Sequence, residues 1–229
     1  MNTAKIIAMT EPKIWTDSPG KPQKLSADQF IAYVARVSNP SNQNNTLTAP
    51  KLLKYLAKHK HWSPFEMVDV VMEINTTRDI GRQILRHRSF RFQEFSQRYA
   101  DPTQDMGFVT REARLQDTKN RQNSIATDNT EIQRIWEEAQ KLLIEYAKTQ
   151  YKWAIAKGIA KEQARAVLPE GLILSRMYMA GSLRSWIHYC QVRTDASTQK
   201  EHREIAMQAW NEITEHFPSL KDVLDLGDK

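Results

Sequence analysis

Six arginines fall between positions 78 and 98: Arg78, Arg82, Arg86, Arg88, Arg91 and Arg98. The same window holds two acids, Asp79 and Glu94, and no lysine. A guanidinium is a planar fork of donors, so arginine without lysine points to bidentate recognition of phosphate or carboxylate. Spacings of four put Arg78, Arg82 and Arg86 on one face of a helix, with Gln83 three residues from Arg86. Two other readings stay open at this level. The cluster can be a solvated basic face. It can also be a nucleic-acid surface, because Phe90, Phe92 and Phe95 interleave with the charges as stacking residues would. A second polar set, Arg184, His188 and Gln191, recurs at i, i+4 and i+7, opposite the apolar Leu183, Trp186, Ile187 and Cys190. Cys190 is the single cysteine, so no internal disulfide or cysteine-based zinc site is available. Its place on the apolar stripe is that of a structural thiol. His59 and His61 form a His-x-His pair without nearby acids, and the histidines show no other ligand spacing, so no metal is expected.

The elements that must carry these groups follow from periodicity. Ser26 and Gln29 make a capping box, and Phe30, Tyr33, Val34 and Val37 follow as one apolar stripe of a helix that Asn39-Pro40 stops. A polar loop at 41–45 leads to a helix near 50–60. MVDVVMEINTT, residues 67–77, reads as a strand, followed by a helix over 78–86. FRFQEF, residues 90–95, reads as strand or extended loop. Residues 116–129 are polar and read as a surface loop. Thr130 and Gln133 form a second capping box. It opens a long helix with Ile132, Ile135, Trp136, Ala139, Leu142, Leu143 and Tyr146 on one stripe, ending near Gly158. A short helix precedes Pro169, LILSRMYMA at 172–180 reads as a second main strand, Ser182 caps the next helix, and a last helix runs over 198–216. Strands and helices are mixed without a βαβ rhythm. The expectation is an α+β fold, a mixed sheet packed with several long helices, as a single domain over 1–229.

The chain of 229 residues is 40% apolar, enough for a core, and carries a net charge of +6, which favours anionic partners. No apolar run approaches the roughly 20 residues that cross a bilayer. The start, MNTAKIIAMTEPKIW, does not read as a signal peptide, so a soluble, cytoplasmic protein without membrane partners is expected. No GxGxxG occurs, which argues against a Rossmann dinucleotide domain.

Residue order narrows the chemistry. RQILRHRSFRFQEFSQRY, residues 82–99, contains Arg86-His87-Arg88, seven residues, then Ser96. It resembles the signature of the flavin-dependent thymidylate synthases, flanks included. VARVSNP (34–40), HWSPFEM (61–67), ARAVLP (164–169) and GSLRSWIHYCQVRTDASTQKE (181–201) resemble further segments of that family, in the same order. The likeness spans about residues 30–205.

The resemblance implies reductive methylation of dUMP to dTMP, with methylenetetrahydrofolate as carbon donor and FAD relaying hydride from NADPH. It implies a homotetramer with shared active sites and no nucleic-acid partner. For dUMP it implies contacts from Gln83, Ile84, Leu85 and Arg86, from Glu94 and Phe95, from Ser96, Gln97 and Arg98 around the phosphate, and from Arg165 and Arg193. Arg193 takes the catalytic role, favouring the ionised uracil at N3 by fixed positive charge. The alternative for Arg193 is a helix C-terminal cation facing the macrodipole. For FAD the family implies Ser38, Ser63 and Glu66, then Arg86, His87, Arg88 and Glu94, then Ser182, Leu183, Arg184 and His188. His61 falls in the flavin and folate vicinity. Gln93, His188 and Ser197 depart from residues common in the family and bear on flavin contacts. The competing reading is a basic nucleic-acid module built on 78–98, and a thiol-dependent synthase is disfavoured by the position of Cys190.

Overall fold

The structure is a computed structural model that describes residues 2–15 and 23–224. In chain order its strands and helices are β1 (Thr3–Met9), α1 (Ala27–Ala35), α2 (Ala49–Lys58), β2 (Asp69–Thr77), α3 (Arg78–Ile84), β3 (Arg91–Glu94) and α4 (Pro102–Asp105). There follow β4 (Arg114–Gln116), β5 (Ser124–Ala126), α5 (Thr130–Ala156), α6 (Lys161–Ala164), β6 (Leu174–Ser182), α7 (Leu183–Arg193) and α8 (Lys200–His216). Single 3-10 turns connect several of them. The α+β expectation holds. The sheet expected to be mixed is instead antiparallel at every pairing, in the order β1-β2-β6-β3.

Both central strands run straight into helices. β2 passes into α3 at Thr77–Arg78, and β6 passes into α7 at Ser182. Because Asp69 pairs Ser182 and Thr77 pairs Leu174, these two helices start at opposite ends of the sheet. β2 alternates in burial, with Val70, Met72 and Ile74 fully inside. The predicted α7 stripe of Leu183, Trp186, Ile187 and Cys190 packs there, all four at 1% exposure or less, and the Trp186 indole donates to Val70 O at 3.0 Å. α8 adds Ile205, Ala206, Ala209 and Ile213 to the same core. Burying such side chains stabilises by about 1.5–3 kcal/mol each for the larger ones. β1, which periodicity does not reveal, is the sheet edge. Its amides at Ala4 and Ile6 donate to Gln208 and Glu212 of α8, so the edge is covered.

The sequence reading needs four further corrections. The Ser26–Gln29 capping box forms, but α1 buries Ile31 and Ala32 rather than the Phe30/Tyr33/Val34/Val37 stripe; Val37 is 69% exposed. Positions 30–35 are apolar on every side, so periodicity there cannot choose a face. Asn129, not Thr130, caps α5, its side chain accepting from the amides of Glu131 and Ile132. Gln133 instead reaches back to Ala113 and Thr127. Residues 116–129 are not all loop: β4 and β5 pair as a hairpin. Finally α5 buries Gln140, Ile144, Ala147, Tyr151 and Ala154, while the stripe from Ile132 to Tyr146 faces outward, Leu142 at 74% and Tyr146 at 65% exposure.

Candidate active site

The arginine segment divides into three roles. Arg78, at the start of α3, is buried and pairs with Glu94 Oε1 at 3.4 Å and Glu170 Oε1 at 3.3 Å. Arg82 shares Glu170 from the surface. Arg86 lies past the helix end, so the expected face of three arginines is not formed. Arg86 and Arg88 are exposed and form no ion pair with a described residue. The segment between them and β3 is anchored by Phe90. Its ring lies 4.8 Å from Trp186, edge to face, and against Gly181, where an added Cβ would come within 2.5 Å of it. A side chain at 181 would push this ring, and with it residues 86–88, out of place.

α7 supplies the opposite wall. It leaves β6 at one end of the sheet and runs back for eleven residues, about 16 Å at 1.5 Å per residue. Its last turn thereby reaches the end of α3, and Arg193 Nε donates to His87 Nε2 at 2.9 Å. No described carboxylate pairs with Arg193, which is half-buried, so its remaining donors are uncommitted among the described residues. Burial, with the charges of Arg193, His188 and Arg86, pushes His87 down to about 4. At neutral pH its imidazole is uncharged and Nε2 is a true acceptor for Arg193.

The other expected nucleotide residues fall nearby on the α3–β3 side. Gln97 and Arg165 line a cleft of about 330 Å³ together with Arg78, Arg82 and Glu170. Ser96 is half-buried, its Oγ accepting weakly from the Arg98 amide at 3.4 Å. Arg98 is held by Glu162 at 3.4 Å. Glu94 spends Oε1 on Arg78 and on Ser175 at 3.0 Å, leaving Oε2 without a described partner. Phe95 is half-buried, and its amide donates to Arg176 O. Leu85 is partly buried against the core, while Ile84 and Leu183 are fully within it, so those two can meet a ligand only through backbone.

The remaining flavin expectations gather at the other end of α7. Ser182 caps the helix and its hydroxyl donates to Glu66, which also holds Arg184 at 3.6 Å. Ser63 lines a mostly apolar recess of about 390 Å³ with Tyr33, Val34, Val37, Pro64 and Met67, beside the exposed Ser38. Arg184 and Arg193 are nine residues apart, about 14 Å along the axis. One chain therefore places the two groups at opposite ends of one helix. His188 is exposed midway between them, and His61 lies outside both groups, exposed beside Tyr55 and His59. Guanidiniums at 86 and 88 with no ion-pair partner among the described residues, and a mostly apolar recess, suit an anionic, ring-bearing cofactor such as FAD. Among the described residues no group of three or more His, Cys, Asp or Glu could hold a metal ion.

A family model described as thymidylate synthase complementing protein matches residues 23–219. The chain belongs to this family. A flavin-dependent thymidylate synthase of Synechocystis sp. is 48% identical to it over 221 residues, covering 96% of this chain and 98% of that protein. A probable flavin-dependent thymidylate synthase of Paramecium bursaria Chlorella virus 1 is 44% identical over 223 residues, 97% and 99% of the two chains. Among solved structures, a UMP/dUMP methylase PolB from Streptomyces cacaoi, bound with 5-Br dUMP, has a TM-score of 0.75 at 21% identity. It covers 96% of this chain and 95% of its own, so the two share a fold.

Within this family member the phenylalanines of 90–95 serve packing. Phe90 is buried and Phe92 and Phe95 are half-buried, so the segment lacks the open aromatic faces that the nucleic-acid reading requires. Cys190 is fully buried, and burial pushes its thiol far above the ordinary range. The residues missed by sequence reasoning are His202, Tyr189 and Gln199, which stand behind Gln83 and His87. One signal was available: His202 shares the i, i+3, i+4, i+7 face of Ile205, Ala206 and Ala209, a lone polar group on an apolar stripe.

Proposed function

We propose that this chain methylates dUMP to dTMP as a flavin-dependent thymidylate synthase, with methylenetetrahydrofolate as carbon donor and NADPH as reductant. The observation that carries the reading is the meeting of Arg193 with His87 across 106 residues, in a chain 48% identical to a protein of that name. A half-buried cation with no carboxylate partner among the described residues is suited to hold negative charge on a pyrimidine ring. Placed at uracil N3, Arg193 stabilises the ionised base and so raises the nucleophilicity of C5. His87, neutral, fixes the guanidinium plane by accepting from Nε. Gln83, the backbone of Ile84 and Leu85, and Glu94 Oε2 clamp the nucleotide. Arg86, Ser96, Gln97, Arg98 and Arg165 supply oxyanion donors for its phosphate.

FAD is held in this reading by Arg86, His87 and Arg88 at one end of α7, by Ser38, Ser63, Glu66, Ser182 and Arg184 at the other and by His188 between them, with His61 toward the folate. When bound, the flavin supplies the hydride that completes the methyl group. The chain's own part is to bind, orient and polarise.

One domain over 1–229, a cytoplasmic location and a homotetramer with active sites shared between subunits belong to the same proposal. The assembly is supported by the outward stripe of α5, too apolar to be left to water. It is also supported by the separation of the two residue groups along α7. Among the described residues no helix is long and apolar enough to cross a membrane.

The test is direct. Purified protein should show an oxidised-flavin spectrum that bleaches anaerobically with NADPH, and should form dTMP when dUMP and methylenetetrahydrofolate are added. A colourless protein that takes up no FAD, or a flavoprotein that makes no dTMP, refutes the proposal.

A further inference from the structure

Behind the Arg193–His87 contact a chain of side chains runs inward from α7 to α8. His202, in the first turn of α8, is fully buried. Its Nε2 lies 3.1 Å from Tyr189 Oη and its Nδ1 lies 3.3 Å from Gln83 Oε1. Gln83 Nε2 donates to Gln199 Oε1 at 2.8 Å, and Gln199 Nε2 donates to Glu201 Oε2 at 2.9 Å. Arg114 closes the row on Glu201 Oε1 at 2.7 Å.

The row has one direction. Glu201, ion-paired with Arg114, can only accept, so Gln199 must turn its nitrogen to it and its oxygen to Gln83. Gln83 must then donate to Gln199, which turns its own oxygen to His202. His202 must carry its proton on Nδ1, and its Nε2 is left to accept from Tyr189. The groups facing His202 agree. From α7 come Tyr189, held protonated by burial, and the cation Arg193. From the turn after α3 comes His87, neutral. Burial, together with the charge of Arg193, pushes His202 down to about 3, so the ring is neutral at working pH. Tyr189 also walls His87, edge to face at 4.9 Å.

We propose that His202 is a positioning residue: clamped between Tyr189 and Gln83, it locks the Gln83 amide so that its second N–H faces an acceptor oxygen of the bound nucleotide. The inference rests on the reading that Gln83 contacts dUMP. A free glutamine amide presents oxygen and nitrogen interchangeably, and an oxygen turned toward a nucleotide oxygen repels it. Fixing the amide removes that wrong orientation.

The FAD-loaded protein tests this by calorimetric titration with dUMP and by steady-state kinetics. His202→Leu should weaken dUMP binding about tenfold, the scale of one net hydrogen bond, raising KM more than it lowers kcat. His202→Asn, whose amide nitrogen replaces Nδ1–H toward Gln83, should recover most of the loss. In a Gln83→Ala background His202→Leu should add nothing, because the partner it acts through is gone. Tyr189→Phe, nearly isosteric, keeps the test open if His202→Leu fails to fold: its smaller loss must likewise vanish with Gln83→Ala. Losses that persist unchanged without Gln83 overturn the proposal, as does parental dUMP affinity in His202→Leu. A parent that binds and turns over dUMP while the cycle is additive overturns this proposal alone. A parent that binds no dUMP overturns the functional reading with it.

Discussion

Replacing Arg193 with alanine separates chemistry from folding. Among the described residues the side chain makes one hydrogen bond, to His87 at 2.9 Å, and sits in the last turn of α7. Losing that bond costs about 0.5–1.5 kcal/mol net, and losing a cation at a helix C-terminus costs about 0.3–1 kcal/mol. The sum, about 0.8–2.5 kcal/mol, is small against a domain stability of roughly 5–15 kcal/mol. The variant should therefore fold and keep its flavin spectrum. The rate is another matter. A preorganised group opposite developing charge is worth on the order of 10²–10³ in kcat, or about 3–4 kcal/mol of barrier. Arg193→Lys should recover only part of it, since one ammonium cannot both donate to His87 and reach the base in a fixed plane. The assay is dTMP formed at saturating dUMP, with a thermal melt and the flavin absorbance as controls. Turnover of Arg193→Ala within a few-fold of the parent would show that the cation does not act on the reacting ring.

Three further outcomes follow from the same geometry. Cys190→Ala should cost about 1 kcal/mol of packing and leave dTMP formation dependent on FAD; a folded, flavin-bound but inactive variant would reinstate thiol chemistry. His202 is held down to about 3 in the folded chain and His87 to about 4, both below the ordinary value of 6.5. The unfolded chain therefore takes up protons first, and stability is lost as pH falls from about 6.5 toward 4. For His202 the loss between pH 7.5 and pH 5 is about 2 kcal/mol, read by urea unfolding. A His202→Leu variant with the parent's full pH slope would contradict that origin. On α5, Leu143→Glu alters a side chain 48% exposed in the single chain, so it should barely change the monomer's stability yet lower the mass seen by light scattering. An unchanged mass would mean that the stripe does not join subunits.

The elements that sequence order foretold are those whose signals are local. The Ser26–Gln29 capping box is two reciprocal hydrogen bonds within one turn, and both form. The α7 stripe is strictly periodic with polar residues on the other side, so its buried face had no competitor. The order Arg86-His87-Arg88, seven residues, then Ser96 was legible because it is a contiguous stretch of residue types, although its strand β3 is held in place by pairing with the distant β6.

Tertiary structure decided the rest. Apolar periodicity says that a face avoids water but not what covers it, which is why the α5 stripe could be read and its outward placement could not. Six consecutive apolar residues in α1 offered no contrast, so only packing against α2 selected Ile31 and Ala32. The three roles of the arginines depend on which carboxylates come near: Glu94 and Glu170 claim Arg78 for the interior, while Arg86 and Arg88 meet none among the described residues. Arg193 and His87 lie 106 positions apart, and His202 and Gln83 lie 119 apart. No local spacing encodes such pairs. They meet because an antiparallel sheet sends α3 and α7 off opposite ends and α7 doubles back, so the sequence holds the chemistry of the site and the chain reversal holds its geometry.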